Sequence, residues 1–198
     1  MLFDVPNTAS TEEMLEKFAI KELIEFERFC RDNALWDQMQ DCYAENSFVN
    51  ISWYKGDGRG FVQKSSEMKT QARHRLNNTL VWVNGARAVA VCMASIQSRQ
   101  RIAQGEMDLI TFVKMIYRIE KDKSACWKIN MLDVVYEKDS LVPAYPAFRK
   151  PDPRFRESYA NLSGVLAEEG YEIDSNLPGE DRPELVESLY KHAETWLA

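Results

Sequence analysis

Acid–base chemistry in this chain depends first on two histidines, because the 198 residues contain only His74 and His192. Histidine has an unperturbed pKa close to neutrality, which suits a group that takes up and returns a proton. His192 stands beside Lys191 in a predicted terminal helix, and we interpret it as a solvated surface residue. His74 lies between Arg73 and Arg75, whose charges lower the pKa of an imidazole. His74 is therefore either the acid–base group of a site or a loop histidine between two arginines.

Metal-binding and nucleotide-binding patterns are missing from the sequence. The four cysteines, Cys30, Cys42, Cys92 and Cys126, are scattered and show no ligand spacing. The glycine-rich segment KGDGRG, residues 55–60, matches neither common phosphate-binding pattern and is predicted to be a turn. No GxSxG motif of a serine hydrolase occurs. We predict that the protein needs neither a metal nor an organic cofactor.

Composition excludes several classes of protein. Apolar residues make up 45% of the chain and charged residues 28%, as in a globular domain. The net charge of −6 disfavours nucleic acid as a partner, and no apolar run approaches the roughly 20 residues of a membrane span. The beginning of the chain lacks the features of a signal peptide, and scattered cysteines favour reduced thiols. We expect a cytoplasmic protein with no nucleic-acid or membrane partner.

The elements that must position His74 begin with helices. Ser10 and Glu13 form a capping-box pattern that predicts the start of a long helix, and residues 31–33 predict its end. Its apolar stripe is predicted from the helical spacing of seven residues: Leu15, Phe18, Ala19, Leu23, Phe26, Phe29 and Cys30. A short helix over 35–44, a strand over 47–53 and a third helix over 61–71 follow. His74 then precedes the strands.

The second half of the chain changes to strand patterns. Strands are predicted over 79–83, 87–98, 109–120 and 126–137, and Asn84-Gly85 is a strong hairpin signal between the first two. Helices followed by antiparallel strands predict an α+β domain over residues 1–139. Residues 140–198 are predicted to be a proline-rich connector with two helices, about 153–169 and 183–196. We expect this extension to pack on the domain or on a partner subunit.

Three segments carry a resemblance to a known family. RDNALWDQMQDCYAENSFVNISWYKG (31–56), RHRLNNTLVWVNGARA (73–88) and CWKINMLDVVYEKDSLVPAYP (126–146) resemble, in order and spacing, the SnoaL-like branch of the nuclear transport factor 2-like superfamily. The resemblance covers about two-thirds of the chain. It implies a curved antiparallel sheet closed by N-terminal helices into a cone with an apolar pocket, and scytalone dehydratase-type lyases are similar in this pattern.

The resemblance also implies the residues of a site. Asp32, four residues before Trp36, matches an aspartate that orients a histidine in those lyases, and His74 matches the histidine. Gln97 and Arg99 fall where relatives carry a second catalytic histidine, so that second function is lost or taken over by another group.

Further residues are candidates for the pocket wall. Asp133 interrupts an apolar strand face and lies either in the pocket or at the rim of the sheet. Four aromatic residues are candidate substrate contacts or core residues: Trp53, Tyr54, Phe112 and Tyr117.

The combined reading predicts a cofactor-independent lyase, isomerase or cyclase. His74 would move a proton of a hydrophobic, polycyclic small molecule, with Asp32 orienting the imidazole, and the protein would be a homodimer or larger homo-oligomer. The alternative is a non-catalytic binding or assembly module on the same cone, because fold alone does not decide function.

Overall fold

The computed structural model describes residues 5, 10–68, 71–103, 105–145, 152–179 and 181–197. The chain divides into two compact units, Met1–Ala144 and Tyr145–Ala198. The described elements of the first unit are α1 (Thr11–Asp32), α2 (Trp36–Asp41), β1 (Tyr43–Ile51), β2 (Tyr54–Asp57), α3 (Gly58–Ser66), β3 (Arg73–Asn84), β4 (Arg87–Ile102), β5 (Gly105–Lys121) and β6 (Trp127–Pro143).

The six strands form one curved sheet in the order β2-β1-β6-β5-β4-β3. The predicted α+β fold with a curved sheet is confirmed. The sheet is not wholly antiparallel, however, because β1 and β6 pair in parallel. Strand β6 lies between β1 and β5 and runs antiparallel to β5 but parallel to β1. The long strands β3 to β6 pair antiparallel.

The Asn84-Gly85 signal marks the predicted hairpin correctly. Asn84 and Arg87 are paired, and Gly85 in the loop has a φ of 59°. Glycine reaches this left-handed region without a steric penalty, which is why the motif indicates a tight turn. The hairpin joins β3 to β4 and so fixes the position of His74, which is the second residue of β3.

Helix α1 begins as predicted, with the Ser10 side chain accepting a hydrogen bond of 3.1 Å from the Glu13 amide. The predicted buried stripe is partly wrong. Four of its members have exposed side chains: Leu15, Phe18, Phe26 and Phe29. The face against the sheet instead contains Ile20 and Ile24 together with two charged residues, Glu27 and Arg28, all buried. Because these charges pair with each other, apolar periodicity alone could not identify this face.

Other element boundaries also differ from the predictions. His74 lies in β3, so it is not a loop histidine. The KGDGRG segment is not a simple turn, because Lys55 to Asp57 belong to β2 and Gly58 begins α3. The Asp57 side chain caps α3 by accepting a hydrogen bond of 2.8 Å from the Gly60 amide. Strand β6 runs on to Pro143, well beyond the predicted end at 137.

The second unit contains two helices, α4 (Ala160–Glu168) and α5 (Pro183–Leu197). Helix α5 lies where it is predicted, but α4 begins seven residues later than the predicted start at 153 and is preceded by a 3-10 turn at Glu157–Tyr159. Arg156 connects its parts by an ion pair with Asp181, 2.5 Å long, and a hydrogen bond of 3.0 Å to the Ser175 carbonyl. The side chain of His192 and residues 146–151, with Pro146 and Pro151, lie outside the described residues. Among the helices described, none is both long and apolar enough to cross a membrane.

Candidate functional site: a buried histidine–aspartate pair

The end of α1 and the beginning of β3 bring Asp32 and His74 together. One Asp32 carboxylate oxygen, Oδ1, lies 2.6 Å from His74 Nδ1, and the other, Oδ2, accepts a hydrogen bond of 2.6 Å from the His74 backbone amide. The Arg73 side chain donates to the Asp32 carbonyl at 2.5 Å. Three contacts therefore fix the helix end to the strand. The His74 and Asp32 side chains are only 4% and 11% exposed.

The surroundings keep the His74 imidazole neutral. Burial lowers its pKa to about 4, and the hydrogen bond to Asp32, which favours the charged form, does not outweigh burial and the charge of Arg28. Burial opposes ionisation of Asp32, but the hydrogen bonds from His74 leave the pKa of this carboxyl below its usual value. A carboxylate beside Nδ1 assigns the proton to that nitrogen. Nε2 then carries the lone pair that a general base needs.

Arg28 lies on the other side of the imidazole. Its Nη1 atom is 3.4 Å from His74 Nε2. The guanidinium forms two hydrogen bonds to the Glu27 carboxylate, and the Tyr43 hydroxyl donates to Glu27 Oε1 at 2.9 Å. Burial alone would lower the pKa of Arg28, but the Glu27 charge raises it well above its usual value. This cation therefore stays charged and disfavours a proton on His74.

His74 and Arg28 open onto a cavity of about 230 Å³. Its wall is mainly apolar, with Ile51, Phe61, Met68, Leu109, Met115 and Leu132 among the residues that form it. Polar groups come from β4, β5, the turn between β1 and β2, and α1: Ser98, Gln100, Thr111, Ser52 and Arg31. A mostly apolar cavity with a few convergent polar groups is typical of a site for a small organic molecule.

The four predicted aromatic contacts occupy different places. Trp53 lines the cavity. Tyr54 packs against the core, and its hydroxyl donates to the Asp57 carbonyl at 2.8 Å. Tyr117 is fully buried, and Phe112 lies under the Lys138 ammonium, 5.1 Å from the ring centroid. These last three do not belong to the described wall of the cavity.

The three predicted polar contacts also lie outside the described wall. Gln97 donates to the Ser95 hydroxyl, Arg99 pairs with Asp108 at 2.6 Å, and Asp133 accepts from the Asn50 amide at 3.0 Å. Their strand neighbours line the cavity instead: Ile96 and Ser98 on β4, and Leu132 and Val134 on β6. Side chains alternate between the two faces of a strand, so a shift of one residue moves a group to the opposite face.

Sequence reasoning missed the cations of the site. Arg28 stands four residues before Asp32 and Arg31 three residues after Arg28, which places them on one face of a helix. That spacing was a usable signal once Asp32 had been placed in the site. No group of three or more histidine, cysteine, aspartate or glutamate side chains suited to a metal ion occurs in the described parts of the chain.

Sequence comparison finds distant relatives of the chain. No family model matches the chain. A curated relative, Pea pathogenicity protein 2 of the fungus Fusarium vanettenii, is 26% identical over 200 residues, which are 93% of this chain and 84% of that protein. Its name does not describe a reaction.

Two solved structures have similar folds. One, assigned as a scytalone dehydratase of Novosphingobium aromaticivorans, has a TM-score of 0.55 and 15% identity over 68% of this chain and 97% of its own. The other is a hexachlorocyclohexane dehydrochlorinase of Novosphingobium barchaimii, with a TM-score of 0.57 and 13% identity over 70% and 97%. Over about two-thirds of its length, the chain therefore has the same fold as these two solved structures.

Proposed function

We propose that this protein is a cofactor-independent lyase or isomerase of the SnoaL-like type, in which His74 removes a proton from a hydrophobic small molecule. The observation that carries the proposal is the buried Asp32–His74 pair, because it places a neutral imidazole at a mainly apolar cavity. The Nε2 lone pair accepts a long hydrogen bond of 3.4 Å from Arg28 Nη1, which the substrate proton would replace. Proton removal makes the imidazole cationic, and the Asp32 carboxylate at 2.6 Å stabilises that charge. The solved dehydratase and dehydrochlorinase support the proposal through their shared fold.

The size of the cavity limits the size of the substrate. Ligand sites for drug-sized molecules usually enclose about 300 to 1,000 Å³, and this cavity of about 230 Å³ is smaller. A molecule of one or two rings therefore suits it better than the larger polycyclic compound expected from the sequence. The reaction would be elimination or a shift of a double bond after the proton has been removed. Ring closure would need a longer substrate chain folded in the same space.

The experiment is an exchange assay. A panel of one-ring and two-ring ketones, with and without a β-hydroxyl group, is incubated with the protein in D₂O, and exchange and elimination are followed by NMR. We expect His74→Ala to lower the rate by roughly 10²- to 10⁴-fold, with Asp32→Asn similar or milder. His192→Ala is the matched control and should retain the wild-type rate.

Equal rates in wild type and His74→Ala would remove His74 from the mechanism. If wild type binds panel members but neither exchanges nor eliminates any of them, the protein is a binding module on the cone scaffold. Circular dichroism of each variant establishes that the fold is intact, so a loss of rate is not confused with unfolding.

Compartment and assembly stay predictions. Four free cysteines, three of them buried, are what a reducing compartment allows, and we propose that the protein acts in the cytoplasm. The expected homodimer or larger homo-oligomer is checked by sedimentation of the full chain.

A further inference from the structure

Two arginines of α1 line the cavity, but they differ in whether a carboxylate compensates their charge. Arg28 is buried and gives two hydrogen bonds to Glu27, so its charge is already compensated. Arg31, one turn further along the helix, is half-buried and donates to the Met68 sulfur at 3.4 Å. A thioether is a weak acceptor. Within the described part of the chain, Arg31 has no carboxylate partner.

Asp32, the residue after Arg31, does not compensate the Arg31 charge in the same way. Both carboxylate oxygens of Asp32 accept hydrogen bonds from His74, one from the ring and one from the backbone amide. Burial and the neighbouring Arg28 lower the pKa of Arg31 to about 10, so the guanidinium is still charged at neutral pH. The cavity therefore presents a neutral base and, beside it, a cation whose hydrogen-bonding capacity is mostly unused.

We propose that Arg31 binds the carbonyl oxygen of the substrate and stabilises the enolate that forms when His74 removes the α-proton. The inference rests on the proposed function and deepens it, since it names an enolisable ketone as the substrate class. In this step the α C–H bond breaks, its proton moves to His74 Nε2, and the electron pair forms the enolate with its charge on oxygen. In a β,γ-unsaturated ketone the proton then returns at the γ-carbon and the double bond moves into conjugation. In a β-hydroxyketone the electron pair forms the α,β double bond, and the β-hydroxyl takes that proton and leaves as water.

Each charge that develops has an opposite charge already in place. The imidazolium forms beside the Asp32 carboxylate, and the enolate oxygen forms beside the Arg31 guanidinium. Groups placed in advance where charge develops are the main source of stabilisation in a site that excludes water. The hydroxyls of Ser98 and Thr111 also line the cavity and can orient a substrate, but they bring no counter-charge.

The test uses a stable mimic of an enolate. 4-Nitrophenol has one ring, and its phenolate carries a negative oxygen whose absorbance differs from that of the phenol. Binding is measured over a range of pH, with 4-nitroanisole, which cannot ionise, as the neutral comparison. We expect the wild type to bind the phenolate in preference to both neutral forms. Arg31→Gln should weaken phenolate binding roughly 10- to 100-fold and leave 4-nitroanisole binding unchanged.

Two variants control this measurement. Arg31→Lys keeps the charge and should retain part of the preference, whereas Arg59→Gln removes an exposed charge from α3 and should change nothing. Equal phenolate affinity in wild type and Arg31→Gln, or no phenolate preference in the wild type, overturns the role of Arg31. If His74-dependent exchange is present in that case, the proposed function stands alone. Phenolate preference without His74-dependent exchange would instead support the subsite and contradict the proposed reaction.

Discussion

The resting charge of His74 is set by competition among its neighbours. Burial and the Arg28 charge favour the neutral ring, and the Asp32 carboxylate favours the cation. The balance leaves the ring neutral at physiological pH, ready to accept a proton. A substrate oxygen that becomes negative during the reaction would raise the proton affinity of the ring at the moment when the proton arrives.

The lowered pKa of His74 predicts how stability depends on pH. In the unfolded chain His74 takes up a proton near pH 6.5, but in the folded protein it does so only near pH 4. The unfolded state therefore binds more protons between these values, and stability should fall as the pH falls through this window, by about 3 kcal/mol in total. Above pH 6.5 His74 contributes no pH dependence.

Urea unfolding at several pH values measures this effect. His74→Gln should remove most of the loss of stability between about pH 6.5 and 4, and the matched variant His192→Gln should keep it. If wild type and His74→Gln lose stability in parallel over this window, the ring is not held neutral by its surroundings. The rate of deuterium exchange into the substrate should likewise fall to half of its maximum near pH 4 and not near pH 6.5, because protonated His74 cannot act as a base.

At the residue scale, the sequence could predict part of the site. The resemblance pointed to Asp32 and His74, and the structure brings these two residues into contact. Arg28 and Arg31 were missed because a charged residue on a helix is usually solvated, and only packing against the sheet shows that these face inward. Gln97 and Arg99 were placed at the right end of β4 but on the face away from the cavity, since the register of a strand is not visible in one sequence.

At the scale of the elements, the packing of the start of α3 against β1 supports the residues of the site. Gly58 is buried at the start of α3, against Ser47 and Tyr43 of β1. The Tyr43 hydroxyl donates a hydrogen bond to Glu27, and Glu27 accepts hydrogen bonds from Arg28. Arg28 in turn contacts His74. The glycines of KGDGRG were expected to form a turn, but the close approach at Gly58 is a matter of packing between elements, which the local sequence does not reveal.

A methyl group at Gly58 should therefore disturb this chain of contacts. The added Cβ would meet the Ser47 hydroxyl and lie 3.0 Å from Tyr43 Cδ1, so one of them must move. We expect Gly58→Ala to lower the free energy of unfolding by about 1 to 3 kcal/mol, as overpacking in a core does. Arg59→Ala, at the neighbouring exposed position, should change it by less than about 0.5 kcal/mol. Equal stability of Gly58→Ala and wild type, measured by urea unfolding, would show that β1 can move away from the added methyl group without a loss of stability.

At the scale of the whole molecule, the long strands hold the cavity. Strand β6 pairs with β5 up to Pro143, which lies opposite Met107, and the Ala144 amide donates to the Glu106 carbonyl at 2.9 Å. Leu109, which lines the cavity, is paired with Leu141. The hydrophobic pattern predicted the centre of β6 but not its last residues, because their composition is polar and proline-containing. The first compact unit accordingly runs to Ala144.

Two truncations separate the strand from the extension. A chain ending after Ala144 keeps the whole β5–β6 ladder, whereas a chain ending after Asp139 leaves residues 107–110 of β5 without their β6 partners. Lost backbone pairing beside the cavity should lower the melting temperature of the shorter chain by about 5 °C or more relative to the longer one, a shift that corresponds to roughly 1 to 2 kcal/mol in a domain of this size. The shorter chain should also bind 4-nitroanisole more weakly, because Leu109 loses its support. Equal melting temperatures and equal binding in the two truncated chains would show that β6 after Asp139 contributes nothing to the cavity, and that the functional unit ends earlier than its strand.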